Sequence, residues 1–381
     1  MTAEAINAGQ ETSTGEGEAD DSTFRNALVL GLPTIFTLGW LIFVFSAGHF
    51  GRITDNASAA LTMAFGSFVA GSTPQGGGAV AFPVFTKVLS VPAAVARSFS
   101  LVIQATGMMM AATSILLSGQ KVDWKALRLG VCGGAVGLLV GLFALGDRST
   151  PFWDSRIDTD YVKVSFTLLI FAVALIVRLN ARQSSDNDCV PLWTRRSRSA
   201  MLGFAFFGGL FTSLAGSGAD VMLFVFIVLV ARVTPKVAIP TSIVTMAVVS
   251  TLGLAVLGLW HGQLDIGLSG SEVVSVGGEA FGPEAASRFD LFGIWLAAAP
   301  IVVWGAPLGA LVAARASERT VIWFVGSMAM LEVFTTAIFL DRLRSDVALA
   351  AFAIIGMAVA WWAVNRLDKL SAWIMRAAPP S

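Results

Sequence analysis

Apolar residues along this chain come in long uninterrupted runs, and charged residues collect in the short stretches between them. Eight runs approach the roughly 20 residues that span a ~30 Å hydrocarbon core as a helix. They are 27–46, 93–118, 126–145, 161–180, 236–260, 291–314, 320–340 and 347–366. The pattern predicts an all-α, polytopic membrane protein. A transmembrane barrel would show ~10-residue alternating segments instead. Two further regions break the template. Residues 60–90 hold two apolar pieces of about 13 and 12 residues around Gly71-Ser72-Thr73-Pro74-Gln75-Gly76-Gly77-Gly78. Residues 200–232 hold two similar pieces around Ser213-Leu214-Ala215-Gly216-Ser217-Gly218. As helices the pieces are only ~18–20 Å long. Each pair either dips in and returns on one side, or crosses once as a broken helix.

Composition agrees with the pattern. Of 381 residues 55% are hydrophobic and 13% charged, with mean hydropathy +0.76. A soluble domain carries about 25% charged residues. Net charge is zero, and no basic stripe could follow a phosphate backbone, so a nucleic-acid partner is excluded. Cys132 lies in an apolar run and Cys189 in a polar loop, which gives no disulfide framework. Tryptophans such as Trp40, Trp124, Trp260, Trp323, Trp361 and Trp362 sit near run ends, where an interfacial belt places them. Residues 1–23 carry six acidic and no basic residues, unlike a secretory signal. They read as a disordered acidic tail.

The basic residues separate the two topologies. With both broken regions re-entrant, one side holds 16 of the 25 basic residues against 9; with both crossing, the split is 13 to 12. The positive-inside rule expects an asymmetry, so re-entrant hairpins are favoured. The protein is then an inner (plasma) membrane protein with both termini cytoplasmic. The chain divides into the tail 1–23, a first helix and repeat 1 (24–180), a basic cytoplasmic linker (181–199), repeat 2 (200–340) and a last helix with cytoplasmic tail (341–381). The acidic 261–290 loop then faces outside. The repeats rest on a shift of 143 that carries Val91-Pro92-Ala93-Ala94-Val95-Ala96-Arg97-Ser98 onto Thr234-Pro235-Lys236-Val237-Ala238-Ile239-Pro240-Thr241. One hairpin plus three crossings is an odd number, so the second copy inserts upside down, as in many secondary transporters.

These residues resemble a family. The Gly76-Gly77-Gly78 break, the Phe82-Pro83-Val84 piece, the Val91 to Ala96 turn and the closing Gly119 to Trp124 are similar to the sulfite exporter TauE/SafE family. A second copy runs through Gly208-Gly209, Gly216-Ser217-Gly218, Pro235 and Thr241-Ser242. The likeness covers about residues 60–340. The second break reads Gly-Ser-Gly-Ala-Asp where that family usually has a glycine run. The resemblance implies a membrane permease for sulfite, organosulfonates or related sulfur oxyanions.

The candidate chemistry centres on the breaks. Helix N-termini that follow them offer unpaired N–H groups to an oxyanion, and glycines let a ligand approach the backbone. Ser72, Thr73, Gln75, Gly76, Gly77 and Gly78 in the first break, and Ser213, Gly216, Ser217 and Gly218 in the second, are the expected substrate contacts. The bland alternative is close helix packing. Arg97 is either a snorkelling interfacial arginine or a planar cation for a sulfonate, with Ser98 and Gln104 beside it. Thr241 and Ser242 are either packing hydroxyls or ligands. Asp220 is either a first-turn cap or a coupling-ion site. Glu332 is either a partnered helix–helix acid or a relay element. Lys87 reads as snorkelling. His49 and His261 lie in loops without further ligands, and there is no phosphate-binding Gly-rich loop with Lys-Ser/Thr. No cofactor and no metal are expected.

The sequence therefore predicts a secondary transporter, most directly an exporter, of a small sulfur-containing anion, working by alternating access around a central site. Its partners are that anion, membrane lipid and a second protomer in a homodimer, for which Gly130, Gly133, Gly134, Gly137 and Gly141 offer a small-residue face; packing within the protomer would use the same face. The rival readings are an H⁺- or Na⁺-coupled importer, an anion channel, and an intramembrane enzyme, for which no nucleophile–base pair is readable.

Overall fold

The computed structural model describes residues 27–89, 91, 93–144, 158–180, 187–259, 275–276, 279–280 and 290–375. The acidic tail, His261, most of the 261–290 loop and the start of the 181–199 linker lie outside the described residues.

The described chain is almost wholly helical. In order it forms α1 (Ala27–Ala47), α2 (Phe50–Asp55), α3 (Ala57–Ser72), α4 (Gly78–Pro83), α5 (Ala93–Leu117), α6 (Trp124–Leu139), α7 (Thr159–Asn180) and α8 (Arg195–Ala215). There follow α9 (Ala219–Val225), α10 (Pro235–Leu259), α11 (Leu291–Arg315), α12 (Glu318–Phe339), α13 (Arg342–Ser345) and α14 (Val347–Ile374). A two-residue antiparallel pair, β1 (Ser275–Val276) with β2 (Glu279–Ala280), interrupts the loop before α11. Eight helices are long and apolar enough to cross a membrane. The chain is a polytopic α-helical membrane protein.

Capping chemistry sets several boundaries. Asp123 accepts from the Lys125 and Ala126 amides, so α6 starts two residues before its apolar run. Thr194 caps α8, and this corrects the reading of 200–232 as two short pieces. Arg195, Arg196 and Arg198 are helical, so α8 has 21 residues and reaches about 31 Å. At its far end Gly216, φ 75°, closes the helix in the left-handed conformation that only glycine adopts without strain.

Both broken regions double back. In the first, Val80 lies against Gly66, and Gly77 against Ala70 and Met63. In the second, Met222 packs on Gly208, and the Ala219 amide bonds the Thr212 hydroxyl at 3.0 Å. A helix crossing straight through would hold Gly66 and Val80, or Gly208 and Met222, some 20 Å apart. Each returning arm ends in a five-residue π turn, Val84–Val88 after α4 and Phe226–Val230 after α9.

The hairpins enter from opposite ends of the bundle. The start of the first lies by the N-terminus of α11, where Arg52 pairs with Asp290 at 3.3 Å. The second starts and finishes at the other end, where Asn187 pairs with Val233, and the Asp123 carboxylate takes the Val190 amide at 2.9 Å. Lys121 pairs with Asp188 there. Each hairpin's first helix packs on the other half's fourth: α3 crosses α11, and α8 crosses α6. Glycines make both crossings close. A Cβ on Gly71 would strike the Ala306 carbonyl, and one on Gly137 the Phe206 carbonyl. The Gly133, Gly134, Gly137 and Gly141 face is thus taken up inside the protomer by α8.

Candidate functional site

The two hairpin tips meet in mid-bundle against α5. Gly76 takes φ +68°, and a Cβ there would strike Asp220 Oδ2, stand 2.7 Å from Gln104 Oε1 and 3.3 Å from Ser217 Oγ. A Cβ on Gly78 would come within 2.5 Å of Ser100 Oγ and of Ser217 Cβ. Gly216 is pressed against the Arg97 carbonyl and Ser100. The structure therefore brings together Gly76, Gly78, Gln104, Gly216, Ser217 and Asp220, and adds Ser100. Ser100 has no sequence signal of its own as a site residue. It lies one helical turn before Gln104, the spacing that puts two side chains on one face.

The hydrogen bonds at the junction are specific. Gln104 Nε2 donates to the Gly216 carbonyl at 2.6 Å and to Ser100 Oγ at 3.0 Å. Ser217 Oγ donates to the Gln75 carbonyl at 3.1 Å, tying one tip to the other. Gln75 Nε2 reaches the Val325 carbonyl of α12 at 3.3 Å. Asp220 is fully buried, and its Oδ1 accepts from the Val221 amide at 2.9 Å and the Gly218 amide at 3.3 Å. With Thr212 holding the Ala219 amide, the opening amides of α9 already have partners inside the chain. At this second break the Gly218, Ala219 and Val221 amides are not open donors in this conformation.

Other candidates have different surroundings. Gly77, φ −65°, faces its own hairpin, with ordinary contacts to Ala70 and Met63 at 3.5 and 3.6 Å. Ser72 and Thr73 bond carbonyls one turn back in α3. Ser213 donates to the Leu210 carbonyl and lies at the Gly141 crossing. Thr241 accepts from the Asp123 amide at 3.1 Å near the end of the bundle, and Ser242 bonds the Ile239 carbonyl. Arg97 is 1% exposed, so it does not snorkel; Ser98 is buried beside it.

Lys87 does not snorkel either. It is buried in the π turn after α4 and donates to Glu332 Oε1 at 2.5 Å and to Thr336 Oγ1 at 2.7 Å. Thr167 of α7 donates to the same carboxylate oxygen at 2.9 Å. Glu332 is thus a partnered acid. A lysine 245 positions away carries no local signal of that pairing.

One crevice opens at an end of the bundle, and none of the tip residues lines it. It encloses about 340 Å³ of space, open mouth included, and its wall runs from Gln120 and Lys236 past Ile239, Ile243 and Ala310 to Gly71. It opens at the end that carries Lys121, Arg232 and Lys236.

A membrane-embedded bundle with two opposed hairpins touching at a buried polar junction is the frame of a solute carrier. A family model described as "Sulfite exporter TauE/SafE" matches residues 59–333, so the chain belongs to that family of membrane transporters of sulfur anions. The match takes in both hairpins and ends one residue past Glu332. No curated protein and no solved structure matches the chain.

Proposed function

We propose that the protein is a secondary transporter that moves a small sulfur-containing oxyanion, sulfite or an organosulfonate, out of the cell across the inner membrane. Alternating access exposes the junction of the two hairpin tips first to one side and then to the other. The observation that carries this reading is the meeting of hairpins from opposite ends, with a crevice running from the basic end to Gly71. Inverted repeats packed in exchange, α3 on α11 and α8 on α6, are the arrangement that rocking of one half against the other requires. The basic end is the cytoplasmic side by the positive-inside rule, which puts both termini inside. From there an inside-negative potential favours exit of an anion by about 2.3 kcal/mol per charge per 100 mV.

The test is purified protein in liposomes loaded with unlabelled sulfite, taurine, sulfoacetate or sulfate, with labelled anion outside. Counterflow with a sulfur oxyanion is expected. A steady single-channel current in planar bilayers, or no exchange with any of the four anions, would overturn the assignment. Import is the second reading. It works against the potential and needs a coupled cation, and the unpartnered oxygens described next favour coupling.

A further inference from the structure

Among the charged groups of the described bundle are Lys87 with Glu332, Arg342 with Asp158 and Asp160, and Asp220 at the hairpin tips. The first two are closed ion pairs. The third has no cation, and its free oxygen has no donor.

Asp220 Oδ2 and Gln104 Oε1 are both buried acceptors without a hydrogen-bond partner. They converge on one face of Gly76, where the missing Cβ leaves them room. The distances of those oxygens from that Cβ position put them within about 5 Å of each other. The Gln104 and Ser217 protons are committed elsewhere. Both Gln104 amide protons go to the Gly216 carbonyl and Ser100, which fixes Oε1 toward Asp220. The Ser217 proton goes to the Gln75 carbonyl. Two buried lone-pair oxygens gathered at one face of Gly76 are each short of a hydrogen bond.

Resting on the anion-transport reading, we infer that Asp220 and Gln104 form a proton-binding site. One proton on Asp220 Oδ2 is donated to Gln104 Oε1, and it must be present for the oxyanion to bind. A single O–H satisfies both orphaned oxygens at once. A sodium ion would need a fuller shell of oxygens than the Asp220, Gln104 and Ser217 side chains supply. A divalent ion would need six or more oxygen ligands or several waters. The proton comes from water on one side and returns to water on the other, so the O–H bond made at loading is the bond broken at release.

Ionised Asp220 would put a negative charge between the tips where the anion binds; protonation removes that repulsion. The other charges on elements packed around it stand apart. Lys125 and Arg128 on α6, Asp160 and Lys163 on α7, Arg195, Arg196 and Arg198 on α8 and Lys236 on α10 all fall in the first two turns of their helices, Asp123 caps α6, and Arg178 is in the last turn of α7. Arg97 on α5, one turn ahead of Ser100, is the buried charge at comparable depth. For a dianion the pair carries one net negative charge, so the potential still drives export. For a monoanion the movement is electroneutral and follows the two concentration gradients.

The linkage fixes the sign. The protonated form binds, so affinity is full at low pH and falls as pH rises through the ionisation of Asp220, up to tenfold per pH unit. Two measurements test it. Infrared difference titration of the purified protein, with no substrate, should show a protonated carboxyl band that Asp220→Asn abolishes and Gln104→Leu shifts. In liposomes, ethanesulfonate or sulfate, whose charges are fixed across the neutral range, should carry protons read by an internal pH dye. Asp220→Asn should abolish that proton movement and make anion binding independent of pH. Wild-type proton movement in Asp220→Asn, a carboxyl band unchanged by that substitution, or a sodium requirement would overturn the site. Failure of anion exchange alone would overturn the transport reading and leave the infrared result to decide the proton site.

Discussion

Glu332 and Lys87 give the sharpest stability test. The pair is buried within the bundle, with side chains 5% and 1% exposed, and joins the returning arm of the first hairpin to α12. At 2.5 Å and an effective dielectric of 20 their attraction is on the order of 6 to 7 kcal/mol. Desolvating two ions costs several kcal/mol each. The terms nearly cancel, so the intact pair contributes little net stability, while removing one member leaves a buried charge without its counterion. Thr167 and Thr336 still donate to or bridge the carboxylate, but two hydroxyls do not replace an ammonium.

Lys87→Met keeps the stem volume and deletes the charge. It should cost about 3–5 kcal/mol, as removal of one partner of a buried pair does. Glu332→Met should cost a similar amount, while Lys87→Met with Glu332→Met should return to within about 1 kcal/mol of the parent, because two apolar side chains fill the same volume. Denaturant unfolding of the four proteins in one detergent, read by tryptophan fluorescence, closes the double-mutant cycle. Additive losses in the double variant would refute the ion-pair account. So would a single Lys87→Met that leaves stability unchanged.

Glycine substitutions separate the tight positions from the tolerant ones. Gly76→Ala places a Cβ on the Asp220 carboxylate at φ +68°, where an L-residue costs about 1–2 kcal/mol before any clash, so stability and anion exchange should both fall. Gly77→Ala meets only ordinary contacts at a helical φ, so it should be within about 0.5 kcal/mol of the parent by thermal unfolding. At the α6–α8 crossing, Gly137→Ala drives a Cβ into the Phe206 carbonyl and should cost on the order of 3 kcal/mol. Gly203→Ala, on the same α8 with nothing within 4 Å, should be neutral or gain up to about 1 kcal/mol by the same measurement.

The membrane architecture was legible because apolar run length is a local property, and α5, α10 and α11 start and stop within a residue or two of their runs. Hydropathy misled where a helix continues past its apolar part. α14 runs eight residues beyond 366, held by Ser371 bonding the Val230 carbonyl at 2.7 Å and by Arg196 over Trp373. α8 was cut short because three arginines in its first turn read as loop. The glycine face on α6 was visible, but not which helix it meets, since that depends on a contact some 70 residues away along the chain.

The breaks show why composition alone misreads a polar site. A glycine run before a helix announces unsatisfied amides, and the sequence around 216–220 offers them to an anion. Yet the same five residues contain Asp220, and the helix before them contains Thr212 one face away. Once the chain doubles back, those two side chains reach the amides first. The donors are consumed within the hairpin, and what is left over is a carboxylate oxygen. At the second tip the excess is therefore of acceptors, Asp220 Oδ2 with Gln104 Oε1 beside it. That excess is relieved by one proton, and the charge that would oppose an incoming oxyanion disappears in the same step. An Asp220→Asn side chain tests this balance directly, because its amide can turn a donor toward Gln104 Oε1 without any proton from solvent. If that variant still bound anion more tightly at low pH, the acceptor excess would have to lie elsewhere in the bundle.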